Sequence, residues 1–267
     1  MSWQAQTLPT TNALRGLAHG LGMHVVTSAR GEIFTSPDGT NWVARSSRTT
    51  NALNGVTCAN GLLMAVGGST TSRIVVASTN GMDWSVTSQL AGAELRSVAF
   101  GQGRFVAVST YQYILSSVDG TTWVMNRPGA TQRWWDIAFA DGVFVAVGGV
   151  GSYVMATSAD GINWTLRTPG GSNHRGVTHG NGTFLTVGDW GVIVQSDPRV
   201  WLSLQAGPAS AVVVSGPLGD YRLDYLEEFG PTSTWLTLTN VTLGTSPWIC
   251  PITDEATHRF YRAVWLP

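Results

Sequence analysis

Five residues stand at one position of an internal repeat: Arg15, Asn54, Arg96, Trp135 and Arg175. Each is the second residue of a short stretch: LRGLAHG, LNGVTCA, LRSVAFG, WWDIAFA and HRGVTHG. Three of the five are arginines, whose planar guanidinium is a fork of N–H donors matched to carboxylate, sulfate or phosphate. On a common rim these residues would form a ring of donors for an anionic ligand, with Arg133 and His174 beside it. A plainer reading stays open: each arginine bonds carbonyls of the neighbouring unit and recurs because the unit recurs.

Acid–base chemistry has thinner support. Cleaving a glycoside needs two carboxyls about 5 to 10 Å apart. The acids near the start of this stretch are Glu94 and Asp136, in consecutive copies. They are the candidate catalytic pair, and they serve equally as salt-bridge partners for Arg96 and Arg133. All 15 basic residues are arginine, which removes Schiff-base and P-loop lysine chemistry. There is no Gly-x-Ser-x-Gly, His-Glu-x-x-His or dinucleotide Gly-x-Gly-x-x-Gly motif. The histidines, 19, 24, 174, 179 and 258, show no metal-ligand spacing, so neither metal nor cofactor is expected. His19 and His179 share a repeat position with Cys58, Phe100 and Phe139, which marks a packing site. Trp134, Trp135 and Trp190 offer aromatic faces for a sugar ring or for packing between units.

These residues ride on a larger unit. TSPDGTNW (35–42) returns as ASTNGMDW (77–84), SSVDGTTW (116–123) and TSADGINW (157–164). The closing tryptophans are 42, 39 and 41 residues apart. Asp-Gly suits a tight turn, because Gly tolerates positive φ and Asp bonds nearby backbone N–H groups. Ser can bond back across the turn, and Trp can lie over it. Within a copy, β-branched and aromatic runs bounded by Gly and Asp read as four strands, as in LRSVAF, RFVAVS, YILSS and TWVMN. A four-stranded unit of about 40 residues, repeated, is the signature of a β-propeller blade.

The Ser-x-Asp-Gly-x-x-Trp pattern resembles the Asp-box of sialidase-type (BNR) propellers, with its Gly one residue early and its span one residue shorter. It is closer to the SxDGxxW repeats, with LRGVAYGNGxFVAVG-like companion stretches, of secreted bacterial proteins. That resemblance implies an all-β fold and a secreted or cell-surface location. Propellers of the photosystem II assembly-factor kind are similar in carrying an arginine patch that receives protein.

Five copies imply a five-bladed β-propeller over residues 1–198. Trp3 aligns with Trp42, so residues 2–8 are expected to supply the missing fourth strand of the last blade and close the ring. Residues 199–267 hold alternating runs such as AVVVSG, YRLDYLE and RFYRAVWL, expected to form a small β-sandwich. RFYRAVWLP resembles the end of an accessory module of secreted bacterial repeat proteins.

Charged residues are only 12% of the chain and the net charge is −1, so nothing draws it to nucleic acid or anionic lipid. No apolar run reaches the roughly 18–20 residues of a membrane span. Cys58 and Cys250 fit neither a disulfide framework nor a metal site and read as small apolar residues. MSWQAQTLPT lacks the basic start and apolar core of a signal peptide. Three functions remain: a non-enzymatic module binding a glycan or an acidic protein or peptide, a glycoside-acting enzyme using Glu94 and Asp136, and a structural subunit that forms homo-oligomers.

Overall fold

The computed structural model describes residues 3–129, 132–149, 154–168, 170–197, 201–205, 211–215, 219–226, 235–243, 247–251 and 260–266. Among these, all regular structure is strand except one turn of 3-10 helix at Asp189–Gly191. No helix among the described residues is long and apolar enough to cross a membrane.

The repeats build one sheet each. β1 (Leu14–Gly20), β2 (Met23–Ser28), β3 (Ile33–Ser36) and β4 (Val43–Arg45) pair antiparallel in chain order. The same order holds for β5 (Ala52–Ala59), β6 (Leu62–Gly68), β7 (Ser72–Ser78) and β8 (Ser85–Ala91). It holds again for β9 (Leu95–Gly101), β10 (Arg104–Ser109), β11 (Ile114–Ser117) and β12 (Val124–Asn126). The fourth sheet is β13 (Trp134–Ala140), β14 (Val143–Gly148), β15 (Met155–Ser158) and β16 (Thr165–Arg167). The fifth has three strands: β17 (His174–Gly180), β18 (Thr183–Gly188) and β19 (Ile193–Gln195).

Two turns discipline each of the first four units. The first joins its first two strands through a pair of positive-φ residues, as at Asn60-Gly61 (50° and 70°) and Asp141-Gly142 (49° and 72°). This is the pattern of a type I′ hairpin turn, whose twist matches the flanking strands. The second is the Ser-x-Asp-Gly-x-x-Trp turn. The Ser36 hydroxyl donates to Asp38 Oδ1 and accepts the Gly39 N–H, both at 2.9 Å. Asp38 Oδ1 accepts the N–H groups of Thr40 and Asn41 at 2.8 Å, and Trp42 Nε1 donates to the Gly39 carbonyl at 3.0 Å. Ser117 and Asp119 repeat the clamp, as do Ser158 and Asp160; Ser78 does so with Asn80 in place of Asp. Backbone N–H donors, Asn41 foremost at Asp38, hold the three aspartates well below the usual carboxylate range. The motif is thus a staple for the hairpin between third and fourth strands.

Alternate residues of each middle strand face opposite neighbours. Leu63 and Ala65 of β6 pack with Val25 and Ile33 of the first sheet. Met64 and Val66 of the same strand pack with Leu95, Phe105 and Leu115 of the third. Val106 and Val108 of β10 meet Trp134, Phe144 and Ala146 of the fourth. Both faces are covered, which is why these stretches read as unbroken apolar runs. Each fully buried aliphatic side chain contributes roughly 1.5–3 kcal/mol. The shared repeat position does pack: His19 on His24, Phe100 on Phe105, Phe139 on Phe144 and His179 on Phe184, with ring centroids 4.5–4.8 Å apart. Cys58 packs against the first of these cores, and burial pushes its thiol up. The Cys250 side chain lies outside the described residues.

The expected closing strand is not formed. Residues 3–8 belong to no sheet, and Trp3 is 93% exposed. The fourth strands show why: β4, β12 and β16 bury almost nothing and are held by the stapled turn that leads into each. Residues 3–8 are almost wholly exposed and no such turn pins them among the described residues, so little offsets the entropy of ordering them.

The chain divides into two compact units, one of Met1–Thr178 with Thr186–Val194, the other of His179–Leu185 with Gln195–Pro267. In the second, β20 (Trp201–Gln205), β21 (Ala211–Ser215), β22 (Gly219–Leu226), β23 (Leu236–Leu243), β24 (Trp248–Pro251) and β25 (Phe260–Leu266) form two three-stranded sheets, β20-β21-β24 and β23-β22-β25. They share a core of Val212, Val214, Tyr221, Leu223, Val241 and Leu243. The buried Asp224 carboxylate is held by Arg222 at 2.8 Å and Arg262 at 3.0 Å.

Candidate functional site

The row predicted from the repeat has a common backbone cause. In the first sheet Leu14 pairs with Ser28 and Gly16 with Thr27, which leaves Arg15 opposite nothing. Asn54 is skipped in the same way between Leu53 and Gly55, Arg96 between Leu95 and Ser97, and Trp135 between Trp134 and Asp136. Each is the extra residue of a β-bulge near the start of the first strand of its sheet. A bulge bends the strand and re-aims the inserted side chain. Arg175 holds the equivalent place in β17.

The bulged strands are tied side by side. The Thr27 hydroxyl accepts the Gly16 N–H at 3.1 Å and donates to the Leu53 carbonyl at 3.0 Å, linking β1 to β5. Asn54 Nδ2 donates to the Leu95 carbonyl at 2.8 Å, linking β5 to β9. Asp136 Oδ2 accepts the Val177 N–H at 3.0 Å, linking β13 to β17.

Side chains then run together along the row. Asn54 Nδ2 also reaches Glu94 Oε2 at 3.1 Å, and Glu94 Oε1 pairs with Arg96 at 3.0 Å. The Arg96 guanidinium lies 5.2 Å from the Trp135 ring centre, and that of Arg175, from the strand beyond, 4.7 Å from it. Arg175 is gripped by both oxygens of Asp189 at 2.8 and 2.9 Å, and Asn173 donates to Asp189 at 3.1 Å. That grip holds the Asp189 carboxyl below its usual range. Arg15 and Arg133 are exposed and have no side-chain partner among the described residues. Asn54 Oδ1, Arg96 Nε and Trp135 Nε1 are buried without a hydrogen-bond partner. A buried polar atom left unmatched costs about 1–3 kcal/mol, so the row holds hydrogen-bonding capacity that the protein itself does not use.

Several expectations need revision. The arginines are not simply bonded to carbonyls of the next unit: Arg96 and Arg175 each take a carboxylate of their own repeat. Trp134 is no exposed platform but wholly buried core, whereas Trp190 is 93% exposed. His174, expected beside the row, is also wholly buried. Its Nδ1 meets Thr186 Oγ1 at 3.0 Å, and desolvation holds its imidazole below the usual value. The candidate acids both serve as acceptors: Glu94 from Asn54 and Arg96, Asp136 from the backbone N–H groups of Val177 and Ile137. Asp189, which the sequence motifs alone do not single out, is the carboxylate that holds Arg175. Its N–H bonds the Asn173 carbonyl, as the Thr110 N–H bonds that of Glu94 and the Gly149 N–H that of Arg133. Reading that repeat position down the copies would have set it beside Arg175.

No protein-family model matches the chain. No curated protein matches it either. Solved structures do. The structure described as YCF48 bound to D1 peptide is 18% identical, covers 94% of this chain and 95% of its own, and has a TM-score of 0.57. YCF48 from Cyanidioschyzon merolae is 15% identical, covers 86% of each chain, and has a TM-score of 0.58. The WD40 β-propeller domain of Doa1 is 14% identical, covers 89% of this chain and 84% of its own, and has a TM-score of 0.53. At such identities the likeness is one of fold: the chain is an all-β repeat protein with propeller-like architecture.

Proposed function

We propose that this chain is a non-enzymatic interaction module whose bulged row, Arg15, Asn54, Arg96, Trp135 and Arg175, receives an acidic peptide segment of a partner protein. The five repeats act as five blades of an Asp-box-like propeller (1–198), and the last residues (199–267) as an accessory β-sandwich of a secreted or surface protein. The observation that carries the reading is the repeated bulge, which leaves one residue outside the strand ladder at matching places of successive repeats. Arg15 and Arg133 bring unpaired charge, the Arg96–Trp135–Arg175 stack brings a flat cationic surface, and the unmatched atoms of Asn54, Arg96 and Trp135 bring further polar contacts. Guanidinium forks favour carboxylates over neutral sugars. A structural neighbour is described as bound to a peptide, which accords with a peptide ligand here.

The test is fluorescence polarisation with a labelled, short Asp/Glu-rich peptide. Binding should weaken with added salt. It should weaken roughly tenfold or more in Arg15→Ala and Trp135→Ala, since a hydrogen bond to a charged group is worth about 1.5–3 kcal/mol. Arg15 has no side-chain partner among the described residues, so its variant separates binding from folding. Equal affinity for wild type and Arg15→Ala, or preference for a neutral oligosaccharide, would refute the reading.

A further inference from the structure

The first repeat carries a second group of arginines. The connection after β2 (29–32) and the connection after β4 (46–51) border an open, shallow cleft of about 600 Å³ lined by Arg30, Arg45 and Arg48 with a single acid, Glu32. None of the three arginines forms a salt bridge among the described residues. Arg30 and Arg48 are exposed and have no side-chain partner there, while Arg45 commits only Nε, to Thr35 Oγ1 at 2.9 Å. Glu32 is engaged elsewhere: Thr10 Oγ1 lies 2.9 Å from each of its oxygens, and Asn12 Nδ2 lies 3.1 Å from Oε2. Three arginines less one glutamate leave the cleft two positive charges in excess.

The backbone fixes this charge in place. Arg48 holds φ +60°, the left-handed region that side-chain-bearing residues seldom adopt. Such outliers cluster at sites of function. Gly31, at φ +79°, sets its bare Cα against the Thr49 and Asn51 carbonyls, where any Cβ would overlap them. The two connections therefore meet closely, and the hydroxyls of Ser46 and Thr50 add donors to the cleft.

We infer that this cleft binds a phosphate group, free or as a monoester. A phosphate monoester carries about −1.5 to −2 at neutral pH, which matches the excess charge, and its oxygens suit guanidinium forks and hydroxyls. A single carboxylate would leave half the charge unanswered. The lining holds no aromatic residue, so a nucleobase would find nothing to stack on. None of these residues belongs to the bulged row, so the two sites stand or fall separately.

Calorimetric titration of the full chain with sodium phosphate tests this, with ionic strength held constant by sodium chloride. One saturable site is expected, with a dissociation constant on the order of 1 mM or lower. Arg30→Ala and Arg48→Gly should each weaken it roughly tenfold or more. Glycine adopts positive φ without strain, so Arg48→Gly keeps the fold while removing the charge. Arg167→Ala removes an arginine with the same Nε-to-threonine pairing on the fourth sheet, to Thr157 Oγ1 at 3.3 Å, and should leave the titration unchanged. O-phosphoserine binding at least as well as inorganic phosphate assigns the monoester; tighter inorganic phosphate assigns the free ion. No saturable heat up to about 10 mM phosphate, some tenfold above that constant, overturns the inference. Wild-type titrations in both cleft variants overturn it equally.

Discussion

One oxygen of Asp136 accepts the backbone N–H of Val177 at 3.0 Å, across from the fourth sheet to the fifth. Its other oxygen takes the N–H of Ile137 at 2.9 Å. A residue chosen from sequence as a catalytic acid is thus a bracket between neighbouring strands. Asp136→Asn would turn an amide N–H2 toward one of these donors. It should lower unfolding free energy by about 1–3 kcal/mol, read as a lower urea midpoint at unchanged slope.

Stapled turns make the protein sensitive to acid. The carboxyls of Asp38, Asp119 and Asp160 lie lower in the folded chain than in the unfolded one. Their contribution is therefore complete above the ordinary aspartate value, about 3.9, and fades as pH falls below it. The melting temperature should be level from neutral pH to about 5 and drop below about 4. Asn80 already occupies the same place in the second copy, accepting from Met82 and Asp83 at 2.9 Å. Asp38→Asn, Asp119→Asn and Asp160→Asn combined should fold and flatten the acid limb of that curve.

Two type I′ turns carry unsuited residues. Leu21 sits at φ +51° and Gln102 at φ +48°, where the other copies place Asn60, Asp141 and Asn181. Leu21→Asn and Gln102→Asn should each raise stability by a few tenths to about 1 kcal/mol. Additive shifts in melting temperature would check this, since the two turns lie in different sheets.

Arg73 is buried without a carboxylate partner among the described residues. Its guanidinium donates to the Ala93 carbonyl at 3.2 Å and the Ala91 carbonyl at 3.1 Å, and lies 5.1 Å from the Tyr113 ring centre. Desolvation holds its acidity above that of an ordinary arginine. Arg73→Met fills similar space but strands two carbonyls, and should cost about 1–3 kcal/mol in a thermal or urea melt.

Legibility in the sequence followed repetition. Five aligned copies exposed the strands, the turns and the shared position of Arg15, Asn54, Arg96, Trp135 and Arg175, because each signal recurred. Features peculiar to one copy stayed hidden. Asp189 reaches Arg175 only through the single-turn helix of the fifth copy. Arg30 and Arg48 line one cleft from two connections of the first copy, whose close approach is set by Gly31. The sequence misleads on the closing strand because Trp3 matches Trp42, whereas in the structure it stands almost fully exposed and in no sheet.

The inserted residue of each first strand stands outside the ladder that pairs its neighbours. Arg15, which makes no side-chain bond among the described residues, can therefore be replaced with the pairing on either side kept, whereas Asn54 also ties β5 to β9. The ladder thus tolerates change at a bulged position that carries no tie of its own, so variation there can alter the surface without disturbing the frame.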